Sequence, residues 1–224
     1  MRMSSYLRIL SIILVSAFAS ACTHLHTDLI PAQYHQQKIV NFQDKEPKIQ
    51  ILVTRGPFYF THSAIRIQNK ERILFWDPSG SYGGDEHGLY FKEHPLPLNF
   101  EKKNALIIHG IPNLATYWLF AQFTDDTGME VFEWSLTNKV ATYYQSILLA
   151  GAEEGNNQYD FKSQDIVLLC SSALSRFVIR FVSDVVPLDE TFFFPDSLAH
   201  KLYTLKPDRI ILFEKGEETR VFRP

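Results

Sequence analysis

Thr61-His62-Ser63-Ala64-Ile65-Arg66-Ile67-Gln68-Asn69-Lys70-Glu71-Arg72-Ile73-Leu74-Phe75-Trp76-Asp77 is the stretch on which the fold turns. From Thr61 to Ile67 the side chains alternate, with His62, Ala64 and Arg66 on one side and Ser63, Ile65 and Ile67 on the other, the period of a β-strand. Asn69-Lys70 supplies a short turn into a second apolar run, Arg72 to Trp76, so the segment is predicted as a hairpin. On its N-terminal side Ile49-Gln50-Ile51-Leu52-Val53 is rich in β-branched residues and ends at Gly56-Pro57. On its C-terminal side Asp77 to Gly84 has the chemistry of a loop, and Leu106 to His109 predicts a further strand closed by Gly110 and Pro112.

Helices join the pattern further on. Leu114 to Phe123, Thr137 to Glu153, Cys170 to Val182 and Asp196 to Leu205 are predicted helices, the last with Pro195 at its first turn. Glu130 to Ser135 and a closing Arg209 to Glu214 are predicted strands. No repeat is present, and strands mixed with helices at irregular spacing point to an α+β fold, an antiparallel sheet packed against helices.

The N-terminus has the features of an export signal. Arg2 and Arg8 precede an apolar run from Ile9 to Ala19, shorter than the roughly 20 residues that span a bilayer. Ala19-Ser20-Ala21 then leads into Cys22, where a bacterial lipoprotein is cut and lipidated. An ordinary cleavable signal with Cys22 near the cut is the other reading. Residues 1–21 are therefore expected as a signal peptide, 22–47 as a polar tether and 48–224 as one α+β domain. Thr23 after the cysteine favours sorting to the outer membrane, facing the periplasm. His24, His26 and His35 fall in the tether and are expected to be solvated, with no metal or other cofactor.

The whole chain has a net charge of −3, and Arg2 and Arg8 leave with the signal, so the remainder is more acidic still. That excludes the basic footprint of a nucleic-acid partner. The aromatic content, with Phe 18, Tyr 10 and Trp 3, excludes a disordered chain.

If Cys22 carries lipid, Cys170 has no disulfide partner in the chain. A lone thiol in an oxidising compartment is either buried or used. Cys170 stands at the predicted start of a helix, where backbone N–H groups lower a thiol pKa and offer an oxyanion site. The same position suits a small buried residue packing like alanine. His62, early in its strand beside small residues, is the candidate base, and Asp77 at the end of the next strand is the candidate to orient its ring. His109 is a weaker orienter. Ser171 and Ser172 lack a nucleophile elbow and are expected to cap the helix. Asp85, Glu86, His87 and His94 are expected in a loop without a metal, and the glycines at 80 to 84 lack the lysine of a phosphate loop.

The order of these residues resembles the circularly permuted NlpC-type papain-like hydrolases. Thr61 to Ile67 is similar to that family's histidine strand, and Phe75-Trp76-Asp77-Pro78 falls where its third polar residue is found. Tyr159-Asp160-Phe161, Cys170-Ser171-Ser172-Ala173-Leu174 and Phe194-Pro195-Asp196-Ser197-Leu198 are similar to its aromatic lead-in, cysteine helix and Pro-Asp-x-Leu segment. The chain departs from it in Leu169 before the cysteine and in the insertion from Asp85 to Asn104. The resemblance implies a papain-like fold and a Cys170–His62–Asp77 set acting on amide or ester bonds, in peptidoglycan peptides or acyl groups. A non-catalytic binding or scaffolding lipoprotein is the competing expectation, and a redox-sensing thiol a third.

Overall fold

A computed structural model describes residues 25–37, 45–56, 61–77, 106–109, 114–123, 127–152 and 170–224. The signal segment, Cys22, His24, the 78–84 loop, the 85–104 insertion with its acidic and histidine residues, and the aromatic lead-in at 159–161 lie outside them. Among the described residues no helix is long and apolar enough to cross a membrane.

The chain is α+β. Among the described residues eight strands form one sheet: β1 (His35–Gln37), β2 (Lys48–Arg55), β3 (His62–Gln68), β4 (Ile73–Asp77), β5 (Leu106–His109), β6 (Gly128–Ser135), β7 (Arg209–Glu214) and β8 (Arg220–Arg223). Their order is β1-β8-β7-β6-β2-β3-β4-β5, and every neighbouring pair is antiparallel. The described helices are α1 (Leu114–Phe123), α2 (Asn138–Ala152), α3 (Cys170–Phe177) and α4 (Pro195–Thr204), with a π-helical turn at Val178–Val182 after α3.

β2 lies between β6 and β3 and is buried along its whole length. Alternation divides it cleanly. Ile49, Ile51 and Val53 join Ile65, Ile67, Leu74, Trp76 and Phe132 in a core completed by residues of α2, α3 and α4. Leu52 joins Ala64, Phe75, Met129 and Val131 in a second core with Leu114, Tyr117, Trp118 and Ala121 of α1. Apolar clusters thus form on both sides of the sheet, as strands buried on two faces require.

The hairpin β3–β4 forms with Ile65 opposite Trp76 and Ile67 opposite Leu74. Its turn is set by one side chain. Asn69 Oδ1 accepts from the backbone N–H of Glu71 at 2.9 Å and of Arg72 at 2.7 Å, the local bonding that makes Asn a turn residue. Its amide nitrogen donates to Thr142 and Gln145 of α2, so the turn is tied to the helix over it.

Three features depart from expectation. The chain does not close at β7, because Arg220–Arg223 adds β8 and His35–Gln37 adds β1 beyond it. The helix beginning at Cys170 changes to a π turn after Phe177. Part of the expected tether is packed onto the domain: Leu25 and Tyr34 are buried, and the Tyr34 hydroxyl donates to the Pro207 carbonyl. A polar composition does not prevent docking when the few apolar residues find a seat. Leu25 finds one over Gly128, where a Cβ would meet Leu25 Cδ2 at 2.7 Å.

Candidate functional site

Cys170 is the first residue of α3 and only 7% exposed. The first turns of α3 carry small side chains, Ser171, Ser172, Ala173 and Ser175, all buried, which let the helix approach β3 closely. Ser63 and Ser171 mark the contact, with their hydroxyl oxygens 3.1 Å apart. Cys170 Sγ stands 3.9 Å from Ser171 Oγ. Further along, Phe177 packs edge-on against Trp76 at 5.5 Å, which fixes α3 over the hairpin. Ser175 Oγ donates to the Ser171 carbonyl at 2.6 Å and accepts from Phe192 N–H at 3.3 Å, holding the segment that enters α4.

Opposing influences act on the thiol. Burial pushes the Cys170 pKa up. A hydrogen bond from the His62 side chain, the charge of His62, and hydrogen bonds from the Ser63 hydroxyl and backbone act against it and prevail, so the thiol is held below its ordinary value. His62 and Ser63 are successive residues whose side chains point to opposite faces along a strand. Both act on one sulfur here, at the first residues of β3, as two successive side chains can at a strand end.

The structure therefore brings Cys170 and His62 together. Asp77 ends β4 with its backbone opposite Leu106, and His109 ends β5 opposite Leu74; their side chains lie outside the described residues. Ser63 and Ser171 were not expected at the site. Alternation assigned Ser63 to the face away from His62, and Ser171 was expected to cap a helix. Replacement of Ser63 by alanine removes a donor to the thiolate. At about 1 kcal/mol for such a bond, Cys170 alkylation at pH 7 is expected to slow about fivefold, read by mass spectrometry, and the loss of the Ser171 contact is expected to lower stability by about 1 kcal/mol as well.

A second cluster lies on the same face of the sheet. The Arg55 guanidinium, fully buried at the end of β2, donates through Nη2 to Glu130 Oε2 at 2.7 Å and through Nη1 to Asp196 Oδ1 at 2.5 Å. Glu130 also accepts from the His26 backbone N–H at 2.7 Å and the Tyr203 hydroxyl at 3.1 Å. Burial pushes the Glu130 carboxyl up, but these His26 and Arg55 interactions outweigh it and hold it below the usual range. His26 closes the cluster with Nδ1 2.6 Å from Arg55 Nη2 and Nε2 2.8 Å from His200 Nε2. His26 is thus mostly covered by the domain, and the expectation of a solvated histidine at this position is corrected. The missed signal was parity: Arg55 falls in the inward series Ile49, Ile51, Val53, where a buried cation demands counter-charges.

The register relates the two clusters. Val53 of β2 pairs with Ser63 on one side and Glu130 on the other. Ser63 and Glu130 are therefore two strand spacings apart, about 10 Å. Compared with protein families, curated proteins and solved structures, the chain matches none.

Proposed function

We propose that the chain is a cell-envelope lipoprotein, anchored through Cys22, that hydrolyses amide or ester bonds with Cys170 as nucleophile on a papain-like scaffold of the permuted NlpC type. One observation carries the reading: a thiol at a helix start, hydrogen-bonded to an imidazole at a strand start, with its pKa lowered against the effect of burial. In this chemistry Sγ adds to the carbonyl carbon and backbone N–H groups in the first turn of α3 receive the oxyanion. His62, protonated in the thiolate pair, gives its proton to the departing amine or alcohol. It then takes one from water, which attacks the thioester, releases the acid and restores the thiol. Asp77 is the proposed orienter of His62.

The exposed aromatics bear on the substrate. Of Phe192, Phe193 and Phe194, the first packs against the core, whereas the other two are 55% and 65% exposed just before α4. Core packing does not account for those two, and an acyl chain or a bilayer surface would.

A non-catalytic binding module is the second reading, and the 7% exposure of Cys170 favours it. The contact with His62 does not. Release of p-nitrophenol from acyl esters of graded chain length, and of amines from peptidoglycan stem peptides, separates the two. The hydrolase is expected to lose turnover on the order of 100-fold or more in Cys170→Ala with the fold intact. Absence of turnover on both substrate classes, with a thiol inert to acylating probes, would assign the chain to the binding module.

A further inference from the structure

The cluster at the start of α4 has a geometry that hydrogen bonding alone does not use fully. His26 comes from the N-terminal segment, and Asp196 and His200 lie one turn apart on α4. The two Nε2 atoms are 2.8 Å apart, Asp196 Oδ1 is 3.5 Å from His26 Nε2, and Asp196 Oδ2 is 3.9 Å from His200 Nε2. One ligand atom from each residue lies within 4.8 Å of the others. Around a tetrahedral zinc ion with bonds of about 2.0–2.1 Å, neighbouring ligand atoms stand about 3.3 Å apart. The Nε2–Nε2 separation of 2.8 Å and the Oδ2–His200 separation of 3.9 Å bracket that value.

We propose that His26, Asp196 and His200 bind a zinc-class divalent cation that pins the N-terminal segment to α4. Two imidazoles and a carboxylate are the donor set of zinc and its neighbours, whereas calcium and magnesium select oxygen ligands. The charges agree. Arg55 contributes one positive charge against the two carboxylates of Glu130 and Asp196, an imbalance that a bound cation offsets. Arg55 occupies Asp196 Oδ1, which leaves Oδ2 for the metal. With Nε2 of His26 on the metal, its proton sits on Nδ1, which faces Glu130 Oε1 at 3.4 Å, an imidazole held from behind by a carboxylate. Arg55 Nη2 stands 2.6 Å from the same Nδ1 and 2.7 Å from Glu130 Oε2, so metal on Nε2 requires the guanidinium to give up the first contact and keep the second. His200 is half-exposed, so the fourth position opens to solvent.

The test is titration of the full chain, tag-free and in detergent, with Co²⁺ and then Zn²⁺ in a Cys170→Ser background that removes the thiol as a ligand. One Co²⁺ per chain is expected, with the visible absorption of a four-coordinate ion, displaced by Zn²⁺ and unaffected by millimolar Ca²⁺ or Mg²⁺. His200→Ala is expected to weaken Zn²⁺ binding at least tenfold, and His200→Gln, which keeps the side-chain bulk, to do the same. His24→Ala and His35→Ala leave it unchanged. No binding at 100 μM Zn²⁺ overturns the proposal. So does binding that survives both His200 variants, or that moves with His24 or His35.

Discussion

His62→Ala is expected to move the pH profile of Cys170 alkylation upward and to silence the thiol at neutral pH. The direction follows from the balance at the sulfur. Burial raises the pKa and remains in the variant, while the largest opposing influence, the His62 hydrogen bond and charge, is gone. In the native protein the thiolate persists at pH values below the ordinary thiol range and is lost as pH falls through the depressed value. Each unit by which the midpoint rises above 7 costs about tenfold in rate at pH 7. The same pairing contributes to stability above the ordinary thiol pKa and ceases to do so as pH falls through the folded value. Iodoacetamide labelling across pH 5 to 10, read by intact mass, checks this. A profile indifferent to His62 would remove the imidazole from the mechanism and leave Cys170 a packing residue.

Arg55→Met is expected to produce the largest loss of stability. Arg55 and Glu130 have side chains with no exposure, so the substitution leaves a buried carboxylate without its cation. Breaking such a pair costs about 3–5 kcal/mol, because the surviving charge has been stripped of water. For a chain of this size that lowers the melting temperature by roughly 10 °C, measurable by differential scanning fluorimetry. Glu130→Gln placed on top is expected to recover part of the loss, since a neutral amide is cheaper to bury. A fall under 1 kcal/mol in the single variant would mean that Tyr203 and the His26 backbone suffice to hold Glu130.

Where the sequence was informative, two physical signals agreed. The β3–β4 hairpin was legible because apolar alternation ran up to a turn-forming asparagine, and α1 because its apolar run stopped at Asp125-Asp126. β1 and β8 were not. His35-Gln36-Gln37 has no strand-forming residue, and Arg220 to Arg223 carries a single fully buried apolar side chain, Val221. β1 is an edge strand that pairs with β8 far along the chain, and β8 in turn lies between β1 and β7, so both are held by backbone pairing more than by apolar side chains. Cys170 and His62 could be singled out because each stood at an element boundary suited to chemistry. Ser63 could not, because alternation puts it with Ile65 and Ile67, opposite His62, and nothing in the sequence shows that the strand's first residue turns to the same sulfur. Nor could His26, whose place depends on Glu130 and α4, residues more than a hundred positions away.

The seating of Leu25 over Gly128 sets the length of the leash. With Cys22 lipidated as proposed, only Thr23 and His24 separate the acyl chains from a residue fixed in the domain. At about 3.5 Å per residue the domain cannot rise more than about 10 Å from the bilayer. A free chain of 25 residues would wander over roughly 28 Å. Phe193 and Phe194 stand beside the same end of α4 that His26 grips, so the short leash enters next to the exposed aromatics. On the proposed reading, a hydrolase so anchored would work within a thin layer at the lipid surface, in two dimensions. That leash would favour the acyl arm of the proposed substrates, since acyl groups of lipids or lipid-bearing proteins lie within such a layer and cross-links in a wall standing off the membrane do not.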